Sequence, residues 1–153
     1  MTRPGPDAAI RRFADADAPA VAALIATCLR EVNSRDYPAD IIDRMCAHFT
    51  ADRIRELATQ REMYVADLDG VVGTVSRDGN KVYTMFVHPA AAGRGLGRSL
   101  MRHIEGLAAR DGHEYMETGA SISAHDFYHR LGYTDVRTSD TEFGLNYILR
   151  LTL

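Results

Sequence analysis

The chain has 153 residues, 46% of them hydrophobic and 25% charged, with a formal net charge of -3. That is the size and balance of one globular domain with an ordinary core, and it excludes a general polyanion binder, which needs a broadly basic surface. Attraction for an anionic ligand therefore has to come from a local feature of the chain.

Taken in order, the opening MTRPGPDAAIRRF has no apolar core of the kind a secretory signal carries, and no later apolar run approaches bilayer length. A cytoplasmic location without membrane contact is expected, with one domain over 1–153, a core over about 10–153 and a flexible lead over 1–8. Residues 10–14 read as a first strand. Asp17 and Pro19 then start a helix whose apolar face is Val21, Leu24, Ile25, Cys28 and Leu29. NSRDYP interrupts it. Helical spacing resumes with Ile41, Ile42, Met45 and Phe49, and again after Thr50, a predicted N-cap, with Ile54, Leu57 and Ala58. Cys28 and Cys46, the only two cysteines, lie on these apolar stripes without CxxC spacing and read as reduced core thiols.

The period then changes from helix to strand. MYVADL and VVGTVS flank Asp69-Gly70, a two-residue hairpin signal, and Asp78-Gly79-Asn80 separates VVGTVS from KVYTMFV. Three consecutive antiparallel strands are expected. A glycine-loop helix follows, then the strand YMETGAS, a short helix around AHDFYHRL, and a final pair over 133–137 and 143–153. The expected class is α/β (α+β), with a mixed, mostly antiparallel central sheet flanked by helices.

Chemistry concentrates in VHPAAAGRGLGRSLM. The first N–H groups of a helix have no partner within it, and its dipole places partial positive charge there. Gly93, Gly95 and Gly97 permit φ > 0 and close approach of a ligand, while Arg94 and Arg98 add charged donors. Leu96, Leu100, Ile104 and Leu107 make the downstream segment amphipathic. The spacing fits neither the dinucleotide GxGxxG, since position 98 is Arg, nor the P-loop. An anion-binding loop and a turn that only caps and packs a helix both fit the pattern.

A second motif separates them. With the loop, the later FYHRLGY (Phe127 to Tyr133) and the element order resemble the GCN5-related N-acetyltransferase (GNAT) family over nearly the whole chain. The resemblance implies an acetyl-CoA cosubstrate, its pyrophosphate held by Ala92, Gly93, Arg94, Gly95, Leu96 and Gly97 with Arg98 and Ser99. Ala92 departs from the family pattern, which has Arg or Gln there; the lost charge-assisted bond is worth about 1.5 to 3 kcal/mol. The backbone of Met85, Phe86 and Val87 would pair with pantetheine as an added strand, one N–H polarising the thioester carbonyl. Tyr128 would protonate the departing thiolate, since a phenol with an ordinary pKa near 10 stays protonated at neutral pH.

The resemblance implies an acetyl transfer to a primary amine of a small molecule or peptide by direct attack in a ternary complex. The amine must lose a proton first, so a base is needed. Some relatives place a glutamate on the strand before the loop, but KVYTMFV contains no acid. Glu117 is the first substitute, with Glu31, Asp36 and His88 behind it. Arg35, Asp36 and Tyr37 fall where the family often forms one acceptor wall, and 138–143 where another would stand. No metal and no nucleic acid are expected, and a homodimer is admissible. His125 and His129 share a helix face as in the zinc motif HExxH, with Asp126 for Glu and no evident third ligand. Two other classes remain open: a non-catalytic acetyl-CoA-binding regulator of a partner protein, and a nucleotide-phosphate binder unrelated to CoA.

Overall fold

In the computed structural model, which describes residues 8–153, the alternating segments pair into one seven-stranded sheet and the segments of 3.6 spacing cover its two faces. The lead expected over 1–8 falls, apart from Ala8, outside the described residues. The strands are β1 (Ala9–Arg12), β2 (Glu62–Asp67), β3 (Val71–Asp78), β4 (Lys81–Val87), β5 (Tyr115–Ala120), β6 (Thr134–Thr141) and β7 (Gly144–Thr152). Their order is β1-β2-β3-β4-β5-β7-β6, antiparallel throughout except for β4 beside β5.

Helices α1 (Ala18–Glu31), α2 (Ala39–His48) and α3 (Ala51–Gln60) lie on one face, where Val21, Ile25, Leu29, Ile54 and Leu57 bury against Met63 and Val65. Helices α4 (Leu96–Arg110) and α5 (His125–Arg130) lie on the other, where Leu100, Met101 and Ile104 pack on Val75, Val82 and Met116. Thr50 caps α3 as its residue type predicts, its hydroxyl accepting from the Arg53 N–H at 3.2 Å. Asp17 behaves differently. Its carboxylate turns back to the Ala14 N–H at 2.8 Å and is gripped by Arg11, which holds it below the usual carboxylate range. That bond closes a one-turn 3-10 helix over Asp15–Asp17 and ends β1 at Arg12, two residues before the expected Ala14.

Two hairpin expectations also shift. Asp67 pairs with Val71, so the first connection has three residues, with positive φ at Asp69 and Gly70. Strand β6 extends to Thr141 instead of stopping near Arg137, because the polar run TSDT keeps its backbone ladder to β7, from Thr138↔Tyr147 to Thr141↔Gly144. Main-chain pairing carries that segment, which has no apolar alternation to announce it. No helix among the described residues is long and apolar enough to cross a membrane.

Candidate functional site

The sheet has one seam. Strands β4 and β5 share only two pairs, Lys81↔Glu117 and Val82↔Thr118, and then diverge. Divergence begins at a bulge: Ser76 faces Tyr83 and Thr74 faces Phe86, so β4 carries one residue more than β3 between these pairs. Thr84 sits in it with φ +48, a left-handed conformation that disfavours a β-branched residue. Its hydroxyl lies 2.8 Å from that of Ser76, which also donates to the Tyr83 carbonyl at 3.0 Å. The extra residue breaks the strand's alternation, so Tyr83 and Thr84 both line the same cavity. Past it, Met85 returns to the α4 face and Phe86 to the α1–α3 face. The edge of Met85, Phe86 and Val87 that would have met β5 has no strand beside it.

Immediately downstream the glycine loop divides its labour. Gly93 and Gly95 both adopt φ +79, and a Cβ on either would meet nothing within 4 Å, so each is required for its backbone shape alone. Gly95 is the N-cap of α4, whose first internal bond, Ser99 N–H to the Gly95 carbonyl, leaves the N–H groups before it without helical partners. Arg94, Arg98, Ser99 and Ala92 are exposed around this turn, and Leu96 is half-buried. Gly97 differs: it is helical and buried, and a Cβ there would lie 2.8 Å from the Phe127 ring and 3.2 Å from Met85 Cε. The sequence suggests three glycines for ligand approach; the third instead admits α5 to the first turn of α4.

Helix α5 is set against α4 by Tyr133, whose hydroxyl donates to Glu105 at 2.8 Å, and by Arg102, which donates to the Leu131 carbonyl at 3.1 Å. Tyr128 points inward, 4% exposed, with its hydroxyl near Thr118, the last β5 residue paired with β4. Burial pushes this phenol up to about 12. His125 and His129 have a partner that the sequence hides: both Nε2 atoms reach one oxygen of Asp135, at 2.8 and 2.9 Å, and hold its carboxyl below the usual range. The three donor atoms lie within 4.8 Å of one another, which corrects the reading that no third group was available.

On the opposite face of the seam lies a cavity of about 320 Å³. Its walls come from α2 (Met45, His48), α3 (Arg53, Leu57), the bulge and the β6–β7 hairpin (Thr141, Glu142, Phe143), the last being part of the expected second wall. Of the expected first wall only Tyr37 lines it. Its hydroxyl accepts from the Ile122 N–H at 2.9 Å and donates to the Leu145 carbonyl at 3.4 Å, bracing the α1–α2 connection to both neighbours, and burial raises its pKa. Asp36 is engaged by the Ser123 hydroxyl at 2.7 Å, and Arg35 is exposed outside the cavity.

The substitute bases do not converge here. Glu117 lies at the closed end of the seam opposite Lys81, on the face of β5 away from Thr118, with its carboxylate bound to Arg150 at 3.0 Å. His88 accepts the Ala90 N–H at 3.0 Å to cap a 3-10 turn, and Glu31 is exposed at the end of α1. Neither His48 nor Glu142, the cavity's imidazole and carboxylate, was named as a base in the sequence, though Glu142 lies in the expected second wall, and Arg53, Arg61 and Asn146 were not singled out there. Only proximity in the fold unites them. Cys28 is buried, its thiol donating to the Val87 carbonyl at 3.1 Å and pushed up to about 12 by burial; Cys46 is partly exposed, and both are unbridged.

Comparison with known proteins places this fold. The chain superposes on a GCN5-related N-acetyltransferase from Rhodopseudomonas palustris with a TM-score of 0.89 at 22% identity, over 97% of both chains. The PaiA N-acetyltransferase of Thermoplasma acidophilum, solved in complex with coenzyme A, matches with a TM-score of 0.77 at 13% identity, over 97% of this chain and 100% of that one. YncA of Salmonella typhimurium, solved with its cofactor acetyl-CoA, matches with a TM-score of 0.63 at 24% identity, over 96% and 94%. No curated protein sequence matches significantly. The family model for the acetyltransferase (GNAT) domain matches residues 31–148, from the end of α1 through most of β7, and on that match the chain belongs to the GNAT family of acetyltransferases.

Proposed function

We propose that this protein moves an acetyl group from acetyl-CoA to a primary amine by direct attack within a ternary complex. One observation carries the reading: the bulge at Thr84 parts β4 from β5 at the point where the Tyr128 phenol reaches Thr118, with the left-handed glycine turn on one side and the cavity on the other. Acetyl-CoA supplies a thioester, already activated toward amines. The open N–H groups around Gly95 with Arg94 and Arg98 receive the pyrophosphate, and no Cβ crowds Gly93 or Gly95. Met85 to Val87 offer the unpaired edge for pantetheine and one N–H for the thioester oxygen.

The amine nitrogen attacks the carbonyl carbon as the C–S bond breaks. Its proton passes to His48, Glu142 or water in the cavity, and the thiolate takes a proton from Tyr128. A phenol raised to about 12 holds its proton throughout the neutral range, though as a weaker acid than an ordinary tyrosine. Glu117 is set aside as the base because Arg150 holds its carboxylate away from the cavity.

Thiol release from acetyl-CoA over a panel of amines tests the reading, with Tyr128→Phe expected to lower kcat by about 10² or more, the low end for one positioned acid. Full turnover by Tyr128→Phe, with chemistry rate-limiting, overturns the acid role. CoA binding without thiol release from any amine turns the reading to a sensor, and stabilisation by nucleotides but not by CoA removes both.

A further inference from the structure

The cavity contains a guanidinium with no ion-pair partner among the described residues. Arg61, the residue that ends α3, lays its guanidinium over the Tyr83 ring, with Cζ 3.8 Å from the centroid. Other partly buried arginines are paired: Arg11 with Asp17, Arg77 with Glu62 and Asp111, Arg150 with Glu117. Among the described residues Arg61 has no carboxylate within 4.0 Å. Burial is the main cause that lowers its pKa, with Arg53 adding to it and Tyr83 and Asp78 offsetting part of it. Of the two guanidiniums in the lining, Arg53 is already paired with Glu56 at 2.9 Å, which leaves Arg61 without a carboxylate partner among the described residues, and the lining's one carboxylate, Glu142, is exposed.

Stacking determines how the cation is presented. Tyr83 lies under the guanidinium, and a guanidinium stacked on a ring keeps its N–H fork free to match the two oxygens of a carboxylate. Tyr83 directly precedes Thr84, the residue in the bulge, so the fork stands beside the reaction centre inferred above. Met45, Phe49, Phe143 and Leu145 supply apolar walls around it.

Resting on the acetyl-transfer reading, we infer that the acceptor is an amine that also bears a carboxylate, an amino-acid-like molecule whose carboxylate docks on Arg61. The test uses matched pairs differing only in that group: lysine against cadaverine, and tyrosine against tyramine. Thiol release is measured for each with the wild type, Arg61→Gln and Arg61→Lys. At least one carboxylate member should exceed its partner in kcat/KM by about tenfold or more, the scale of one charged hydrogen-bonded contact. Arg61→Gln should collapse that ratio toward one, and Arg61→Lys, which keeps the charge but loses the fork, should restore part of it. Melting temperature and the KM for acetyl-CoA report whether Arg61→Gln still folds and binds the cosubstrate. Preference for the decarboxylated members, or an Arg61→Gln variant that depresses both members equally, overturns the inference while leaving acetyl transfer intact. Thiol release from no amine overturns both.

Discussion

The glycine loop and the cavity stand on opposite faces of one seam, yet they are built on different principles. The loop presents main-chain N–H groups, and its residues are chosen for backbone shape: Gly93 and Gly95 for φ +79, Gly97 for its closeness to Phe127. The cavity presents side chains from α2, α3, β4 and the β6–β7 hairpin, each on an otherwise ordinary backbone. A backbone site is contiguous in sequence, whereas a side-chain site is assembled by the fold. It follows that the first can be kept while the second changes.

The largest effect expected is structural. Gly97→Val should destabilise the fold by about 2 to 3 kcal/mol, because the Phe127 ring, 2.8 Å from the new Cβ, is part of a packed core and cannot give way freely. Denaturant melts check this, and wild-type stability in this variant would show that α5 adjusts independently of the loop. Next comes Gly95→Ala. A left-handed alanine costs about 1 to 2 kcal/mol, and if the loop relaxes to avoid it, the Kd for CoA measured by calorimetry should rise about tenfold. Discrimination between the members of an amine pair should stay the same; a change there would mean that loop and cavity are coupled.

Smaller effects sharpen the same contrast. Ala92→Gln restores a side-chain donor to a loop that otherwise relies on backbone, and a neutral hydrogen bond worth about 1 kcal/mol should tighten CoA binding by a few-fold. No gain, or a loss of affinity, would count against a CoA site that rests mainly on backbone donors. The smallest is Gly106→Ala in the interior of α4, where a Cβ meets open space: about 0.5 to 1 kcal/mol of added stability, read as a higher Tm. Alkaline pH addresses Tyr128 separately. Its folded pKa of about 12 exceeds the ordinary 10, so the native state binds the proton more tightly; stability is intact below pH 10 and falls as pH rises toward 12. Tyr128→Phe should remove that part of the alkaline loss.

This contrast also explains what could be read in the chain. The hairpin signals, the Thr50 cap and the apolar periods of α1 and α4 were legible because local chemistry fixes them. FYHRLGY and the glycine loop were legible because each is continuous. Glu117 misled because strand sequence shows that a carboxylate alternates to one face but not which residue lies opposite, and Arg150 is 33 positions away. Asp135 was missed as the partner of two histidines because it follows a turn that returns it to them. Nothing in KVYTMFV announces a bulge at Thr84, since the register depends on what β3 presents. Arg61 looks like a solvated helix end until Tyr83 is placed beneath it.

The two-pair seam between β4 and β5 has a consequence for association. Where those strands part, the middle of the sheet acquires two unpaired borders, and such borders ordinarily invite another chain to add a strand and begin an aggregate. Here residues 83–87 are only half-buried yet lie between α4 with α5 on one side and α1 with α3 on the other. A thin, flexible ligand arm fits such a recess more easily than a strand with side chains on both faces. The same gap can thus admit a small molecule and resist polymerisation, with the helices as its gatekeepers.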